Sequence, residues 1–355
     1  MTSTAVVAIT KHGIEIGRRI KQEMPEVEIF VPAKHDDGNT DVIWFKEQST
    51  KQVGDLFKSH EALICIFSLG AAIRMVAPHL RDKKTDPALV VIDDKAKYVI
   101  SALSGHIGGA NALANSVASI LGAMPVITTA ADVNETIAVD LVGREFGWSI
   151  ENFENVTRTS ALMVNEEPIG VYQDAGQQNW WNAQLPKNVV KVGVLSQLQS
   201  PEFRAGLVIT DRIINDPEIL SKSVVYRPKS LVVGIGLHWD TPSDTIESGV
   251  LQVFKENALS FQCIRNISSI NRGAKVKGLD EFAMKYNVPV EIYEKEALGS
   301  VSVPNPSQTV QKFEGTPSVS EASSILSSKG SLVVPKQKFP PNLTVAVSRI
   351  SFPQG

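Results

Sequence analysis

The stretch LSGHIGGANALA, residues 103–114, places one histidine among glycines directly before a helical pattern. An imidazole titrates near neutral pH, so His106 could be a catalytic acid or base. The stretch could instead be a turn whose backbone N–H groups bind an anion at a helix N-terminus, or His106 could simply be tolerated in a tight connection. The neighbouring candidates for ligand contact are Ser104, Gly105, Gly108, Gly109 and Asn111.

A second polar stretch, TTAADVNET at residues 128–136, follows a short apolar run. Asp132 and Glu135 could be general bases in a cleft at the ends of the strands. Asp132 or Asn134 could equally cap the following helix. Thr129 is a further candidate for ligand contact.

Two other strand-to-helix junctions carry glycine, FSLGAAIR with Gly70 and VVGIGLHWD with Gly234 and Gly236. Such junctions can bind phosphate or carboxylate, although glycine there often serves only the backbone conformation. Basic residues lie near these turns, among them Arg74, Lys84 and Lys336. They indicate either a solvated face or a pocket for a ligand with several carboxylates.

Several common site motifs are absent from the sequence. It contains no complete G-x-G-x-x-G with its distant acidic residue, no Walker motif and no G-x-S-x-G nucleophile elbow. The two cysteines, Cys65 and Cys263, lie far apart in apolar runs, which favours buried thiols over a disulfide or a zinc site. We therefore expect no nucleotide cofactor and no metal held by the protein.

The composition is that of a globular protein, with 355 residues of which 43% are apolar and 21% charged. The net charge of −3 argues against a nucleic-acid partner. No run approaches the roughly 20 apolar residues of a membrane span, and the first residues do not resemble a signal peptide. We expect a cytoplasmic protein, with a homo-oligomer left open.

The pattern of apolar runs predicts an α/β fold in which two α/β domains with mixed, mostly parallel sheets are joined by a smaller middle domain. The predicted domains are residues 1–147, 148–228 and 229–355. A polar turn at 94–97 between two β-rich runs predicts a hairpin, and hence a mixed sheet. PVITT, residues 125–129, is predicted to be a strand, and ETIAVDLVGREFGW, residues 135–148, a helix.

The sequence closely resembles the CbiG family of cobalamin biosynthesis, the cobalt-precorrin-5A hydrolases. The N-terminal resemblance lies in LICIFSLGAAIRMVAPHLRDKKTDPALVVIDDKAKYVISALSGHIGGANALA and in PVITTAADVNE. VVGIGLHWDTPSDTI and VSEASSILSSKGSLVVPKQKFPPNLTVAVSRI resemble the family's C-terminal domain, which also occurs alone as CobE.

This resemblance implies a hydrolase that opens a δ-lactone on a cobalt-bearing tetrapyrrole and releases a two-carbon fragment as acetaldehyde. The cobalt belongs to the substrate, so no cofactor is implied. His106 would then be the acid or base, with Asp132 or Glu135 assisting and the N–H groups of Gly108 and Gly109 stabilising an oxyanion. The alternative is a non-catalytic carrier of corrinoid intermediates, and transfer of the product to other enzymes of the pathway is a further expectation.

Overall fold

The computed structural model describes residues 3–82 and 85–352. The chain divides into two compact units, Met1–Leu141 and Val142–Gly355. Among the helices of the described residues, none is long and apolar enough to cross a membrane.

The first unit is built on a seven-stranded sheet with helices packed against it. Its strands are β1 (Thr4–Ala8), β2 (Glu28–Pro32), β3 (Ile43–Phe45), β4 (Ala62–Ile66), β5 (Ala88–Ile92), β6 (Tyr98–Leu103) and β7 (Met124–Val126). Its helices are α1 (Lys11–Glu23), α2 (Ser49–Ser59), α3 (Leu69–Val76), α4 (Ala110–Leu121) and α5 (Ala130–Val133). The strand order is β3-β2-β1-β4-β5-β6-β7. β1, β4 and β5 are buried along their whole length, as expected for parallel strands covered on both faces.

The predicted hairpin is confirmed, because β5 and β6 pair antiparallel while the other pairs of this sheet are parallel. β6 and β7 therefore run opposite to the first five strands. Leu103, at the end of β6, pairs with Leu89 near the start of β5. The turns that follow β6 and β7 thus lie at the edge of the sheet where β4 and β5 begin.

The prediction of a helix over residues 135–148 is wrong. The preceding helix, α5, stops at Val133, and Glu135 adopts a left-handed φ of 51°. Gly143 and Gly147 also have positive φ, at 69° and 73°. A right-handed helix is therefore interrupted in the middle of this segment and again near its end. A short 3-10 turn remains near residue 145. The apolar spacing of the segment reflects a buried loop instead of one face of a helix.

The second unit carries two five-stranded sheets. The first sheet holds β8 (Ser149–Ile150), β9 (Ile169–Gln173), β10 (Val189–Val192), β11 (Ala205–Ile209) and β12 (Ser223–Arg227), with α6 (Val156–Val164) and α7 (Pro217–Lys222). The second holds β13 (Leu231–Leu237), β14 (Ile264–Ile270), β15 (Val290–Tyr293), β16 (Ser331–Phe339) and β17 (Leu343–Arg349). Its helices are α8 (Ser243–Glu256), α9 (Lys277–Tyr286), α10 (Lys295–Gly299), α11 (Gln308–Glu314) and α12 (Val319–Ser328).

The predicted fold class is confirmed, since each of the three sheets contains both parallel and antiparallel pairs. The predicted boundaries at 147/148 and 228/229 fall between strands of different sheets, β7 and β8 in one case and β12 and β13 in the other. They stay predictions, because the division into compact units falls after Leu141.

Candidate active site

The turn after β6 folds back on itself before α4 begins. Ser104 has a φ of 56° and Gly109 a φ of 87°, which reverse the chain within a few residues. The N–H groups of Ala110 and Asn111 donate to the carbonyl oxygens of Ser104 and Gly105, at 3.1 and 3.0 Å. The N–H of Gly109 donates to the carbonyl oxygen of His106 at 3.0 Å. The first amides of α4 thus already have partners inside the turn.

Two glycines are required here by close contacts. A Cβ atom on Gly108 would lie 2.3 Å from Cβ of Ser104 and 2.7 Å from its carbonyl oxygen. A Cβ atom on Gly105 would lie 2.7 Å from Oδ1 of Asn111. Ser104 itself donates its hydroxyl to the carbonyl oxygen of Asp86 at 2.9 Å. These three predicted contact residues therefore shape the turn, whatever ligand it meets.

His106 lies between two carboxylates. Its Nε2 atom is 2.8 Å from Oδ2 of Asp132, and its Nδ1 atom is 3.2 Å from Oδ1 of Asp140. The imidazole is only 15% exposed and Asp140 16%. The hydrogen bond to Asp140 raises the pKa of His106 above its ordinary 6.5, and the bond to Asp132 adds to this, although burial opposes both. The geometry therefore favours the imidazolium, a proton donor.

Asn111 fixes the position of Asp132. Its Nδ2 atom donates to Oδ2 of Asp132 at 2.8 Å and to the hydroxyl of Thr129 at 3.0 Å. Its Oδ1 atom accepts from the hydroxyl of Ser101 at 2.6 Å. Asn111 is buried, so these bonds satisfy its amide and hold it in one orientation.

The capping interpretation of the TTAADVNET stretch is not the one the structure adopts. Thr129 is the N-cap of α5 and makes no side-chain cap hydrogen bond, and Asp132 lies inside the helix with its carboxylate directed to His106 and Asn111. The side chain of Asp132 remains 43% exposed. Asn134 and Glu135 follow the helix and are exposed. The N–H of Glu135 donates to the carbonyl oxygen of Asp132 at 3.3 Å, but within residues 3–82 and 85–352 no side-chain hydrogen bond or ion pair joins Glu135 to this cluster.

Gly70 and Arg74 lie at the opposite edge of the sheet. They follow the carboxyl end of β4, level with Ile92, whereas His106 follows Leu103 near the start of β5. The five-residue length of these strands separates the two edges by roughly 15 Å. Arg74 donates to the carbonyl oxygen of Gly70 at 3.1 Å. The predicted contact residue Lys84 lies outside the described residues.

The three predicted C-terminal residues differ in their roles. A Cβ atom on Gly234 would lie 1.8 Å from the carbonyl oxygen of Ser320, so this glycine allows α12 to approach β13. Gly236 and Lys336 line a cavity of about 770 Å³. Nζ of Lys336 donates to the carbonyl oxygen of Asn305 at 2.6 Å.

Sequence reasoning missed Asp140 and Ser101. Asp140 lies in the segment predicted as a helix, where a single aspartate carries no recognisable motif. Ser101 lies inside β6. The one available signal was that a second aspartate, Asp140, follows Asp132 eight positions further along the chain.

Comparison with known proteins decides the family. The family descriptions "Cobalamin synthesis G N-terminal", "Cobalamin biosynthesis central region" and "Cobalamin synthesis G C-terminus" match residues 51–132, 137–228 and 231–348. A cobalt-precorrin-5A hydrolase of Priestia megaterium is 41% identical to this chain, over 98% of the chain and 95% of the relative. The chain belongs to the CbiG family.

A second curated relative of this CbiG protein agrees. A cobalt-precorrin-5A hydrolase of Salmonella typhimurium (strain LT2) is 31% identical, over 93% of both chains. A solved structure of CobE, a protein from the cobalamin biosynthetic pathway, covers 35% of the CbiG chain and 94% of its own, with 20% identity and a TM-score of 0.33. The predicted family resemblance is confirmed.

Proposed function

We propose that this CbiG protein is a cobalt-precorrin-5A hydrolase, which opens the δ-lactone of its tetrapyrrole substrate and releases acetaldehyde. Relatives of that name match the chain over nearly its whole length. The observation that carries the assignment of the site is the imidazole of His106 between the carboxylates of Asp132 and Asp140. A paired acid and base of this kind suits the hydrolysis of an ester.

In the first step, a water molecule attacks the lactone carbonyl carbon. Asp132 is the base: its carboxylate is half exposed and can reach a bound water, while His106 and Asn111 hold its Oδ2 atom. The water gives a proton to Asp132 as its oxygen bonds to the carbonyl carbon. When the carbon–oxygen bond of the lactone breaks, the imidazolium of His106 donates a proton to the departing ring oxygen. The proton that Asp132 took from the water then passes to His106 across the 2.8 Å hydrogen bond, which restores the imidazolium and the carboxylate.

In the second step, the two-carbon fragment leaves as acetaldehyde. The new hydroxyl group loses its proton to the Asp132 carboxylate, and the bond between the fragment and the macrocycle breaks. The electron pair of that bond passes into the conjugated ring, and the proton held by Asp132 passes to the ring carbon, which restores the Asp132 carboxylate. Asp140 does not contact the reacting atoms in this scheme; it is a positioning residue that stabilises the imidazolium.

The oxyanion formed in the first step needs a donor. The N–H of Gly109 already donates to His106, so of the two glycines Gly108 is the better donor for this role. Cobalt enters as part of the substrate, and we propose that the reaction uses no cofactor of the protein. A cytoplasmic location is proposed with this assignment.

The direct test is acetaldehyde release by the purified full chain supplied with cobalt-precorrin-5A. We expect turnover by the unaltered protein and a loss of roughly a hundredfold or more in H106Q, since general acid–base groups contribute that much. The matched control is H12Q, because His12 pairs with Asp94 at 3.1 Å but is largely exposed and follows β1, at the opposite edge of the sheet. A change under threefold in H106Q would reject the role of His106. Substrate binding without any acetaldehyde would indicate a carrier.

A further inference from the structure

Arg81 lies at the same edge of the first sheet as His106, in the segment that leads into β5. The backbone N–H of Arg81 donates to both carboxylate oxygens of Asp86, at 3.1 Å each. The carbonyl oxygen of Asp86 accepts from the hydroxyl of Ser104 at 2.9 Å, two residues before His106. Asp86 therefore fixes the backbone of Arg81 to the turn that carries His106.

The guanidinium of Arg81 is not used inside the protein. Over the described ranges 3–82 and 85–352 it makes no hydrogen bond and no ion pair, and the residue is exposed. Other arginines of this unit have partners, since Arg18 pairs with Asp41 and Arg19 donates to the carbonyl oxygen of Leu121. Arg81 thus combines an anchored backbone with a charged group that is available to a ligand.

The electrostatics of the His106 cluster favour a cation next to it. The two carboxylates of Asp132 and Asp140 outweigh the single positive charge of the imidazolium, and Asp86 adds a further carboxylate at this edge. A substrate with carboxylate side chains would be repelled by this surplus of negative charge. A guanidinium beside the cluster offsets the repulsion, and its planar fork can donate two parallel hydrogen bonds to one carboxylate.

The position of Arg81 also suits the shape of the substrate. One residue, Asp86, separates Arg81 from the turn, so Arg81 lies beside the cluster without contacting His106 or Asp132. The lactone of the substrate must meet those two residues, whereas carboxylate side chains extend from the rim of the macrocycle. A cation displaced to one side can therefore bind a rim carboxylate while the lactone occupies the site.

We propose that Arg81 binds a carboxylate side chain of the substrate and thereby holds the lactone against His106 and Asp132. The inference rests on the proposed function, because it takes its substrate and its reacting groups from that reaction. Arg81 transfers no proton. It is a substrate-binding residue, which selects macrocycles that carry a carboxylate at the matching position of the rim.

The test measures acetaldehyde release from cobalt-precorrin-5A by the full chain and by R81Q. An ion pair made equally in the bound substrate and in the transition state raises KM when it is lost and leaves kcat unchanged. We expect the KM of R81Q to rise about tenfold or more, as for the loss of a charge-assisted hydrogen bond. R81K keeps the charge without the fork, so its KM should lie between the two. An unchanged KM in R81Q would overturn the proposal.

Two further measurements separate binding from a structural role. Salt screens an exposed ion pair, so added KCl should raise the KM of the unaltered protein more steeply than the KM of R81Q. The melting temperature of R81Q should equal that of the unaltered protein, because the guanidinium has no partner among the described residues. Equal salt dependence in both proteins, or a KM effect explained by a lower melting temperature, would contradict the proposal.

Arg158 supplies the matched control. It is an exposed arginine on α6 of the second unit and, like Arg81, makes no ion pair within the described part of the chain. We expect R158Q to change KM by less than about twofold, since isolated surface charges contribute little. An equal rise of KM in R81Q and R158Q would show a general effect of charge instead of a site.

H106Q distinguishes this proposal from the catalytic assignment. H106Q should lower kcat, whereas R81Q should raise KM. A loss of acetaldehyde release in H106Q together with an unchanged KM in R81Q would overturn the role of Arg81 alone. A raised KM in R81Q together with full kcat in H106Q would reject the role of His106 and retain Arg81 as a residue that binds substrate.

Discussion

Nδ1 of His106 lies 3.2 Å from Oδ1 of Asp140, a residue 34 positions further along the chain. The contact exists because the segment after α5 is a loop that brings Asp140 back to the turn after β6. Both side chains are largely buried, so the carboxylate stabilises the imidazolium more strongly than it would in water. The carboxylate of Asp140 therefore influences the pKa of His106, and with it the strength of His106 as an acid.

The first prediction concerns this control. In D140N the side chain can still accept from Nδ1, but its negative charge is lost, so the pKa of His106 should fall. Activity that needs the imidazolium is present at low pH and declines as the pH rises through that pKa. We expect the alkaline limb of the kcat/KM profile for acetaldehyde release to move to lower pH in D140N, with roughly tenfold lower activity above neutrality. An unmoved limb would exclude Asp140 as the positioning residue.

The second prediction concerns the buried amide of Asn111. N111A removes the donor to Asp132 and Thr129 and leaves the hydroxyl of Ser101 without its acceptor. We expect a loss of about 1–3 kcal/mol in the free energy of unfolding, measured with urea. Asp132 should also become less well placed, so kcat should fall more than KM changes. S101A removes one of these bonds and should have a smaller effect; if S101A matched N111A, the amide would not be the centre of the network.

The third prediction tests the shape of the turn. In G108A the new methyl group would meet the Cβ and the carbonyl oxygen of Ser104, so the turn must move. We expect a loss of about 1–3 kcal/mol of stability and reduced acetaldehyde release. Gly193 is the control, because nothing lies within 4 Å of its Cβ position and its φ is not positive. A melting temperature in G108A as high as in G193A would show that the contact can relax at no cost.

The fourth prediction concerns the end of β17. Arg349 forms two hydrogen bonds to Asp211, at 2.6 and 2.7 Å, and Asp211 is fully buried. In R349M the Asp211 carboxylate would keep only the hydrogen bond from the Ser230 hydroxyl among its side-chain partners named here. We expect the free energy of unfolding to fall by about 3–5 kcal/mol. Arg18 and Asp41 form a similar but more exposed pair, so R18M should cost less than about 1 kcal/mol. Thermal unfolding of both variants compares them, and equal shifts would contradict the role of burial.

The burial of the two cysteine thiols could be predicted from the apolar residues around them in the sequence. Cys65 and Cys263 lie in apolar runs, and both are buried as expected. Burial raises the pKa of each thiol to about 12. Neither residue needs a tertiary partner for this outcome, because the apolar runs in which they lie must enter the core.

The segment 135–148 shows the opposite case. Its apolar spacing fits a helix locally, but positive φ at Glu135 and Gly143 prevents one. Ile137 and Val139 are buried in this loop, with 2% and 1% of their surfaces exposed. Their burial places the next residue, Asp140, in contact with His106. Periodicity could not reveal this, since a loop with alternating buried residues and a short helix give similar patterns.

The sequence alone determined the fold class, the hairpin of β5 and β6, the family, and His106 and Asp132 as candidate catalytic groups. These follow from local patterns and from motifs within short stretches of chain. The tertiary structure decided that Asp140 and Asn111 complete the cluster, and that Gly70 and Arg74 lie at the far edge of the sheet. The physical reason is the reversed direction of β6, which moves the following turn to the edge where β4 and β5 begin. The hairpin that reverses β6 is local, but the end of the sheet that its turn reaches depends on the parallel pairing of β5 with β4, a contact between separate segments of the chain.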